Sequence, residues 1–373
     1  MKIKGLLSIG FTDIVGIAIS AAFWFFLATF IEPDEFGEIS FFLGIAAIAS
    51  YISLIGTQNV IIVYVAKNIK IQSTLFLISL IVGGISSIVI IMIFYRVDVS
   101  LILLGYIINT LALGNLLGKK LYSSYSKYFL SQKILTLGLG FGFYYLFDVQ
   151  GVIFALALSY IPYIIRAYKG FKEAKIDFSL LKPRFGFIAN NYMMVIANSS
   201  KTQIDKLLVA PILGFSLLGN YALAYQVVGV MAIFTTIVFK YTLSHDASGN
   251  TNKKIKKITI LISIGIAMIG YLFSPIVIPE FFPKYSEAVI AIQIMGFSII
   301  PSAISTMYIS ELLGLEKSKV VLITKIISLV TIIIGMVILG SMWGMTGLAI
   351  SFVLSFSVEA ISFVYLTQKF NIR

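Results

Sequence analysis

Long apolar runs, broken by short polar connections, recur along the chain and limit what it can fold into. Residues 75–94, "LFLISLIVGGISSIVIIMIF", form one such run with no charge. A helix needs about 20 apolar residues to cross the membrane, and it satisfies its own backbone polar groups there. The run lacks the alternation of apolar and polar residues expected of a barrel strand. With 59% hydrophobic residues, the sequence predicts an all-α, polytopic membrane protein.

The apolar runs predict about 12 transmembrane helices. They cover residues 5–31, 37–65, 72–95, 99–118, 129–147, 149–166, 186–213, 217–239, 256–279, 286–310, 319–340 and 344–366. The first run lacks an A-x-A-like cleavage site and is predicted to be a true span rather than a signal peptide.

The basic residues predict the orientation of these helices. With the N-terminus placed in the cytoplasm, 24 of the 28 basic residues fall on the cytoplasmic side, only Arg96 and Lys284 fall outside, and the remaining two are Lys201 and Lys206 in the seventh span. Cytoplasmic loops of membrane proteins carry such an excess of Lys and Arg. We therefore expect a multi-pass protein of the cytoplasmic (plasma) membrane with both termini in the cytoplasm. The same pattern explains the net charge of +12 without a nucleic-acid partner.

Residues that commonly carry enzymatic or metal chemistry are scarce. The chain has no Cys, and its only His, His245, lies in a hydrophilic loop. Disulfides, thiolate metal sites and His-rich metal sites therefore have no support. The sequence predicts no enzyme, no bound metal and no cofactor, apart from H⁺ or Na⁺ if either ion drives transport.

The longest basic connection, "RAYKGFKEAKIDFSLLKPRF", divides six spans from six. It predicts an N-terminal six-helix lobe at 1–171, a linker at 172–185 and a C-terminal six-helix lobe at 186–373. Apolar residues interspersed among the charges suit an amphipathic segment on the inner membrane surface. A solvated linker is the alternative.

The two halves show an internal repeat. "KYFLSQKI" at 127–134 matches "KVVLITKI", and "ALALSY" at 155–160 matches "GLAISF", both 192 residues further on. Near the start of each half the spacing is 182, which aligns Gly37 with Gly219. Many transporters bind substrate at the interface of such repeated bundles. Chance similarity between segments rich in Ile and Leu is the alternative.

Two longer patterns resemble those of the multidrug/oligosaccharidyl-lipid/polysaccharide (MOP) exporter superfamily, and within it the polysaccharide flippases. One is the first hairpin, "GLLSIG...LATFIEPDEFGEISFF...LIGTQN"; the other is "IDKLLVAPILGFSLLGNYALAYQVVG", with its Asp205-Lys206 pair, Gly219 and Tyr221. The resemblance covers nearly the whole chain, although members are typically somewhat longer. It implies two six-helix bundles around a central cavity, alternating access, and a cavity that accepts the polar head of a polyprenyl-phosphate-linked glycan.

The function implied by the resemblance is that of a flippase for a lipid-linked oligosaccharide or a polysaccharide repeat unit. The implied partners are the polyprenyl-phosphate-linked glycan, membrane lipids, and glycosyltransferases and the polymerase of the same pathway. A MATE-like, cation-coupled exporter of small molecules is the first alternative, and it predicts a net acidic cavity. A polytopic glycosyltransferase is the second; it requires an outer-loop carboxylate, for which "EPDEFGE" is the candidate.

The seventh span contains charges and amides that are costly in a helix facing lipid. At 100° per residue, Asn191, Asn198, Lys201 and Asp205 fall within an arc of about 100°. Lys201 and Asp205, four residues apart, are predicted to pair, which leaves Lys206 as a spare cation. Either the pair only orders the bundle, or these five residues bind the phosphate and sugars of the substrate. Such residues inside membranes commonly mark substrate pathways.

Three further polar residues belong to the predicted site or to its neighbourhood. Gln226 lies in a helix expected to border the cavity and is a candidate substrate contact. Asp13, the only acid deep in the first span, either pairs with Lys201 or takes up H⁺ or Na⁺ and drives transport. The coupling role is implied by the resemblance alone, because drug exporters of the superfamily have an acid in the first helix. Glu359, in the last span, is predicted to pair locally.

Overall fold

The computed structural model describes residues 2–55, 57–236, 238–239, 253–315 and 317–369. Every regular element in these ranges is a helix. The chain divides into two compact units. Unit 1 is formed by Met1–Leu27 and Phe42–Ser199, and unit 2 by Ala28–Phe41 and Ser200–Arg373.

The first half of the chain forms eight helices with short connections. They are α1 (Lys2–Phe30), α2 (Pro33–Ser53), α3 (Gln58–Ala66), α4 (Gln72–Phe94), α5 (Val97–Gly118), α6 (Tyr122–Phe147), α7 (Val149–Leu158) and α8 (Ile161–Lys172). The start of α2 shows why the chain begins a helix there. Pro33 occupies its first position, and the Glu35 carboxylate accepts a hydrogen bond from the backbone N–H of Glu32 at 2.8 Å. Both features favour a helix N-terminus.

The connection after α8 contains two 3₁₀ turns, Phe178–Leu180 and Lys182–Arg184, without buried residues. It is attached to α4 through Thr74, whose hydroxyl group bonds the backbone of Asp177. The side chain and backbone of Ser179 both donate to the Asp177 carboxylate, which lowers the pKa of Asp177.

Residues 233–236 and 238–239 are helical in the second half, which also forms six longer helices in the described ranges. They are α9 (Phe185–Lys201), α10 (Ile204–Met231), α11 (Lys253–Phe281), α12 (Ala288–Met295), α13 (Ile299–Gly314) and α14 (Ser318–Lys369). Two of them break at a glycine with positive φ, Gly214 at 87° and Gly344 at 54°. In α14 the chain reverses direction at this break. The evidence is that Gly335 and Ser351 lie side by side, since a Cβ on Gly335 would be 2.9 Å from the Ser351 hydroxyl oxygen. In a straight helix these residues would lie about 24 Å apart.

Nine helices in the described ranges are long and apolar enough to cross a membrane. Two of the nine candidate spans, Phe178–Met231 with 54 residues and Lys319–Lys369 with 51, contain the breaks at Gly214 and Gly344, and each has the length of two crossings. Helix α6, with 26 residues, is a further helix of sufficient length. With these two counted twice and α6 included, the described part of the chain provides twelve segments long enough to cross a membrane, and the predicted all-α polytopic fold of about 12 transmembrane helices is confirmed.

The tip of the first hairpin packs within unit 2. Tyr285, fully buried, donates its hydroxyl proton to the Ile31 carbonyl at 3.2 Å and meets the ring of Phe36 edge-on. Lys284 forms an ion pair with Glu32 at 2.8 Å. These contacts place the turn between α1 and α2 against the connection that follows α11.

The glycines aligned by the repeat contact each other in unit 2. A Cβ on Gly37 would lie 1.9 Å from the Phe215 carbonyl oxygen, and a Cβ on Gly219 would lie 1.8 Å from that of Pro33. Phe215 and Pro33 are themselves 182 residues apart, the same spacing that separates Gly219 from Gly37. The contact of Gly37 with Phe215 therefore corresponds to the contact of Gly219 with Pro33. Reciprocal contacts of this kind occur between like elements packed about a two-fold axis.

A second set of shared features recurs at a spacing of 196 residues rather than 192. Asp148 and Gly344 both have φ near 55°. The hydroxyl groups of Ser159 and Ser355 each donate to the carbonyl three residues earlier. The pairing of "ALALSY" with "GLAISF" is therefore displaced from these features by four residues, about one helical turn.

Candidate functional site

Charged and aromatic side chains gather inside unit 2, where the end of α9, the start of α10 and the two parts of α14 meet. We call this group the charged cluster. Its members are Lys201, Asp205, Lys206, Tyr221, Tyr225, Lys325, Phe356 and Glu359.

Glu359 is the centre of the charged cluster. Its Oε2 atom accepts from Lys201 Nζ and its Oε1 atom from Lys325 Nζ, both at 2.6 Å. The side chain of Glu359 is 1% exposed and that of Lys201 is 6% exposed. A carboxylate buried this deeply requires charged partners. The two lysines supply them, and the trio keeps a net charge of +1.

An aromatic ring also contacts Lys201. Its Nζ atom lies 3.8 Å from the centroid of the Phe356 ring, within cation–π distance. The ammonium group is thus held by a carboxylate and a ring from the same stretch of α14. In this conformation Lys201 is almost fully covered.

Asp205 and Lys206 form the other part of the cluster, at the start of α10. The buried Asp205 carboxylate accepts from the Tyr221 hydroxyl at 3.1 Å and from the backbone N–H of Lys206 at 2.8 Å. Its negative charge in the first helical turn also suits the helix dipole. The Lys206 ammonium donates to the Gln203 side chain at 2.7 Å and lies 5.8 Å from the Tyr225 ring centroid.

The predicted pairing of Lys201 with Asp205 is wrong. The helix breaks between them at Thr202 and Gln203, where Gln203 has φ of −129°. The break removes the i,i+4 relation and the continuous polar stripe that was predicted from it. Lys201 takes Glu359 as its carboxylate partner instead, and the Lys206 ammonium donates to the neutral side chain of Gln203.

The structure describes the side chains of two of the three remaining candidates in the seventh and eighth spans, and neither of these two forms a bond to the charged cluster. The Asn191 side chain donates to the Phe187 carbonyl of its own helix at 2.9 Å. Gln226 is half-buried in the second part of α10. Asn198 lies on α9, but its side chain is outside the part of the chain that the structure describes, as is His245. Within the described ranges, no three His, Cys, Asp or Glu residues come together to hold a metal ion.

Asp13 lies in unit 1, where α1 packs against α6. It accepts a hydrogen bond from the Tyr125 hydroxyl at 2.8 Å, and the neighbouring Thr12 bonds Ser126 at 2.6 Å. Gly16 allows this approach, because a Cβ there would lie 2.2 Å from the Phe129 ring. Asp13 is half-buried and held by a tyrosine of its own unit, and the carboxylate bonded to Lys201 is that of Glu359.

Sequence reasoning missed the central role of Glu359 and Lys325. The prediction that Glu359 pairs locally is wrong, because its partners lie 34 and 158 residues away. A signal was present: Glu359 is the only acid in the span 344–366, and an acid inside a membrane requires a cation. Lys325 was assigned to the cytoplasmic side, although it lies within the stretch 319–340.

Comparison with solved structures identifies the fold. Over 99% of this chain and 98% of the other, the structure matches the inward-facing conformation of a MATE multidrug resistance transporter of the MOP superfamily, with a TM-score of 0.75 and 14% identity. It matches the outward-facing conformation of such a transporter with a TM-score of 0.66 and 18% identity, over 99% and 96% of the chains. The lipid II flippase MurJ, in an inward closed conformation, matches with a TM-score of 0.78 and 12% identity, over 98% and 87%.

At the level of sequence, no family model and no curated protein matches the chain. Likeness to MATE transporters and to MurJ nevertheless extends over almost every residue of the structure. The chain therefore has the fold of the MOP-superfamily transporters.

Proposed function

We propose that the chain is a membrane transporter, and that it is a flippase for a lipid-linked oligosaccharide or a polysaccharide repeat unit. The fold supports the first part of the proposal, because similar solved structures are MATE transporters and a lipid II flippase. MATE transporters are recorded in inward-facing and outward-facing conformations. This pair of states supports alternating access as the mechanism of the present chain.

The proposed cargo rests on the net charge of the charged cluster. Three lysines, of which Lys201 is buried and the other two are half-buried, accompany two buried carboxylates in unit 2. The cluster thus has a net positive charge in surroundings of low dielectric constant, where electrostatic effects are stronger than in water. It favours an anionic cargo, such as the phosphate head of a polyprenyl-phosphate-linked glycan, and it disfavours a cationic drug.

The pairing around Glu359 suggests how such a cargo is bound and released. A phosphate group that enters the cluster would share Lys201 and Lys325 with Glu359, because the trio keeps a net charge of +1. Lysine suits this role because its ammonium is a compact charge on a flexible stem. When the cargo leaves, Glu359 still pairs with both lysines, so that neither ammonium is left without a partner. Asp205, Lys206, Asn191, Asn198 and Gln226 remain proposed contacts for the phosphate and the sugars.

Transport in reconstituted vesicles tests the proposal. Vesicles would contain fluorescent lipid-linked oligosaccharide, and its arrival in the opposite leaflet would be measured. Lys201→Met and Lys206→Met are each expected to slow translocation roughly tenfold, since a charged contact worth about 1.4 kcal/mol corresponds to that factor. Lys284→Met removes an exposed lysine of the same unit, outside the cluster, and should keep the original rate. Equal rates in all three variants would contradict a role of the cluster in substrate handling.

The same vesicles distinguish the alternative functions. Imposed H⁺ and Na⁺ gradients would show whether transport is coupled, and Asp13→Asn is expected to abolish any gradient dependence while Tyr125 stays in place. Unchanged gradient dependence would remove Asp13 from the mechanism. Export of small cations without flipping of the glycan would favour the MATE-like alternative, and glycan transfer by the purified protein would favour an enzyme.

A further inference from the structure

Helix α8 reaches the surface of the membrane at its last residues. It forms the second part of the candidate span Val149–Lys172. Its exposed side carries first Ile164 and Ile165 and then Tyr168. The ammonium group of Lys172 lies 4.5 Å from the centroid of the Tyr168 ring. An apolar face that ends in tyrosine and lysine is typical of the boundary between hydrocarbon and headgroups. The chain that follows α8 therefore starts at this boundary.

The α8–α9 connection, residues 173–184, is attached to the ends of two other helices of unit 1. Thr74, in the first turn of α4, bonds the backbone of Asp177 at 2.9 and 3.2 Å. Glu173 forms an ion pair at 2.5 Å with Lys119, where α5 ends. Both α4 and α5 are long and apolar enough to cross a membrane. These attachments keep the connection at the level where the crossing helices begin and end.

Large apolar side chains are exposed at this level. Phe178 is 56% exposed and Ile176 is 45% exposed, and Phe185, which follows the connection, is 69% exposed. Neither 3₁₀ turn of the connection contains a buried residue. Exposed apolar side chains that lie close together indicate contact with an apolar partner. At the end of a membrane-crossing helix, the adjacent apolar partner is the lipid bilayer.

The charges of the connection favour a surface with negative charge. Its two acids are already satisfied, Glu173 by its ion pair with Lys119 and Asp177 by the neighbouring serine. Lys175 and Lys182 are exposed, and no carboxylate in the described part of the chain bonds either of them. Anionic lipids of the cytoplasmic leaflet attract basic residues that lie close to the membrane surface. The connection thus combines apolar side chains with an excess of positive charge.

We propose that the α8–α9 connection binds the headgroup region of an anionic leaflet, the one at which α8 ends. Ile176, Phe178 and Phe185 insert below the phosphate groups, and Lys175 and Lys182 lie against them. Insertion of the apolar side chains provides the attachment, and the lysines add the preference for anionic lipid. In the predicted orientation this leaflet is the cytoplasmic one. The surface belongs to unit 1 alone and does not depend on which cargo the chain transports.

Spin labels on the full chain in vesicles test the proposal. Because the chain contains no Cys, a single cysteine carries the only label, and Phe178→Cys is the test position. Lys67→Cys, exposed at the end of α3, is the aqueous reference, and Ile85→Cys, exposed in the middle of α4, is the hydrocarbon reference. Collisions of each label with oxygen, which concentrates in hydrocarbon, and with a water-soluble nickel complex would be measured. The vesicles contain phosphatidylglycerol and phosphatidylcholine in equal parts, or phosphatidylcholine alone.

In the anionic vesicles, the label at position 178 is expected to collide more with oxygen than with the nickel complex, as the label at Ile85 does. In phosphatidylcholine alone, its accessibility should shift towards that of the aqueous reference. Lys175→Gln/Lys182→Gln should cause the same shift in the anionic vesicles, since each basic residue near an anionic surface contributes roughly fivefold to binding. Lys120→Gln is the matched control and should cause no shift, because Lys120 is an exposed lysine at the same end of unit 1 but outside the connection.

Two outcomes at position 178 would overturn the proposal. A label that meets the nickel complex as readily as the label at Lys67 would show that the connection is solvated. A label shielded from both reagents would show that protein covers it. The proposal also fails if Lys120→Gln shifts the label as far as Lys175→Gln/Lys182→Gln does. Gel filtration of the labelled variants in detergent would verify that they remain folded.

Discussion

Glu359 bonds two lysines that reach it from different helices, Lys201 at the end of α9 and Lys325 in the first part of α14. A buried ion pair gains little over an apolar replacement, but loss of one partner leaves an uncompensated charge, which is costly. Because two lysines share one carboxylate, the partners are not equivalent. Loss of Glu359 strands two ammonium groups, whereas loss of Lys325 leaves a balanced pair.

Glu359→Gln is therefore expected to destabilise unit 2 by about 3–5 kcal/mol. The amide keeps the shape of the side chain and removes only its charge. Lys325→Met should cost clearly less, because the pair of Lys201 with Glu359 remains. Denaturation midpoints of the purified variants would measure both effects. If Glu359→Gln left the midpoint unchanged, or lowered it less than Lys325→Met, the carboxylate would not be what holds the lysines.

At the residue scale, the sequence predicts which span carries the charges but not how they pair. Lys201, Asp205 and Lys206 were recognised because charges in an apolar run are rare. Their partners were not, because helical spacing applies only while the helix continues, and it breaks at Thr202 and Gln203. Glu359 is 158 residues from Lys201, a distance over which one sequence gives no pairing information.

At the scale of elements, the helix ends at Gly37 and Gly219 are fixed by backbone contact. The atom that a Cβ would meet is in each case a carbonyl oxygen, of Phe215 or of Pro33. A side chain can rotate away from such a collision, but a carbonyl within a helix cannot. Only glycine permits this approach, and the chain uses it on both sides of the contact.

Gly37→Ala and Gly219→Ala are each expected to destabilise the protein by about 1–3 kcal/mol through overpacking. Gly229→Ala is the matched control, because Gly229 lies on the same helix as Gly219 and a Cβ there would meet nothing within 4 Å. Alanine at that position should be neutral or slightly stabilising. Thermal unfolding in detergent would rank the three variants. Similar midpoints for Gly219→Ala and Gly229→Ala would contradict the close contact.

Element boundaries were largely predictable, and the register of the repeat only in part. The ends of the apolar runs predict connections close to Gly214 and Gly344, where the backbone has positive φ. The spacing of 182 agrees with the reciprocal contacts of Gly37 and Gly219. The spacing of 192 misses Ser159 and Ser355 by four residues, because runs of Ile and Leu look alike when shifted by one helical turn.

At the scale of the whole molecule, the two halves have corresponding helices, but the first half lacks the charged residues that form the core of the charged cluster in the second. Ser159 and Ser355 correspond at a spacing of 196 residues. At the same spacing, Lys325 corresponds to Phe129 in the first half, and Glu359 corresponds to Tyr163. The first half thus has aromatic side chains where the second has the core of the charged cluster. A repeated scaffold with a charged site in one copy is consistent with a transporter in which the halves have different tasks. Sequence comparison of the halves alone does not show this difference, because it depends on contacts between distant positions.

The orientation of the twelve segments can be measured directly, because the chain contains no Cys. Any single cysteine is then the only site for a membrane-impermeant maleimide. Lys67→Cys and Lys120→Cys lie in connections predicted to be cytoplasmic, and Asp34→Cys and Glu280→Cys in connections predicted to be external. All four positions are exposed in the structure. In intact cells, we expect labelling at the two acidic positions only, and labelling at the lysine positions after permeabilisation, because basic connections stay on the cytoplasmic side. The unsubstituted chain is the control and should not react. A reversed pattern would place the basic connections outside the cell. Labelling of Lys67→Cys but not Lys120→Cys in intact cells would contradict an even number of crossings between them.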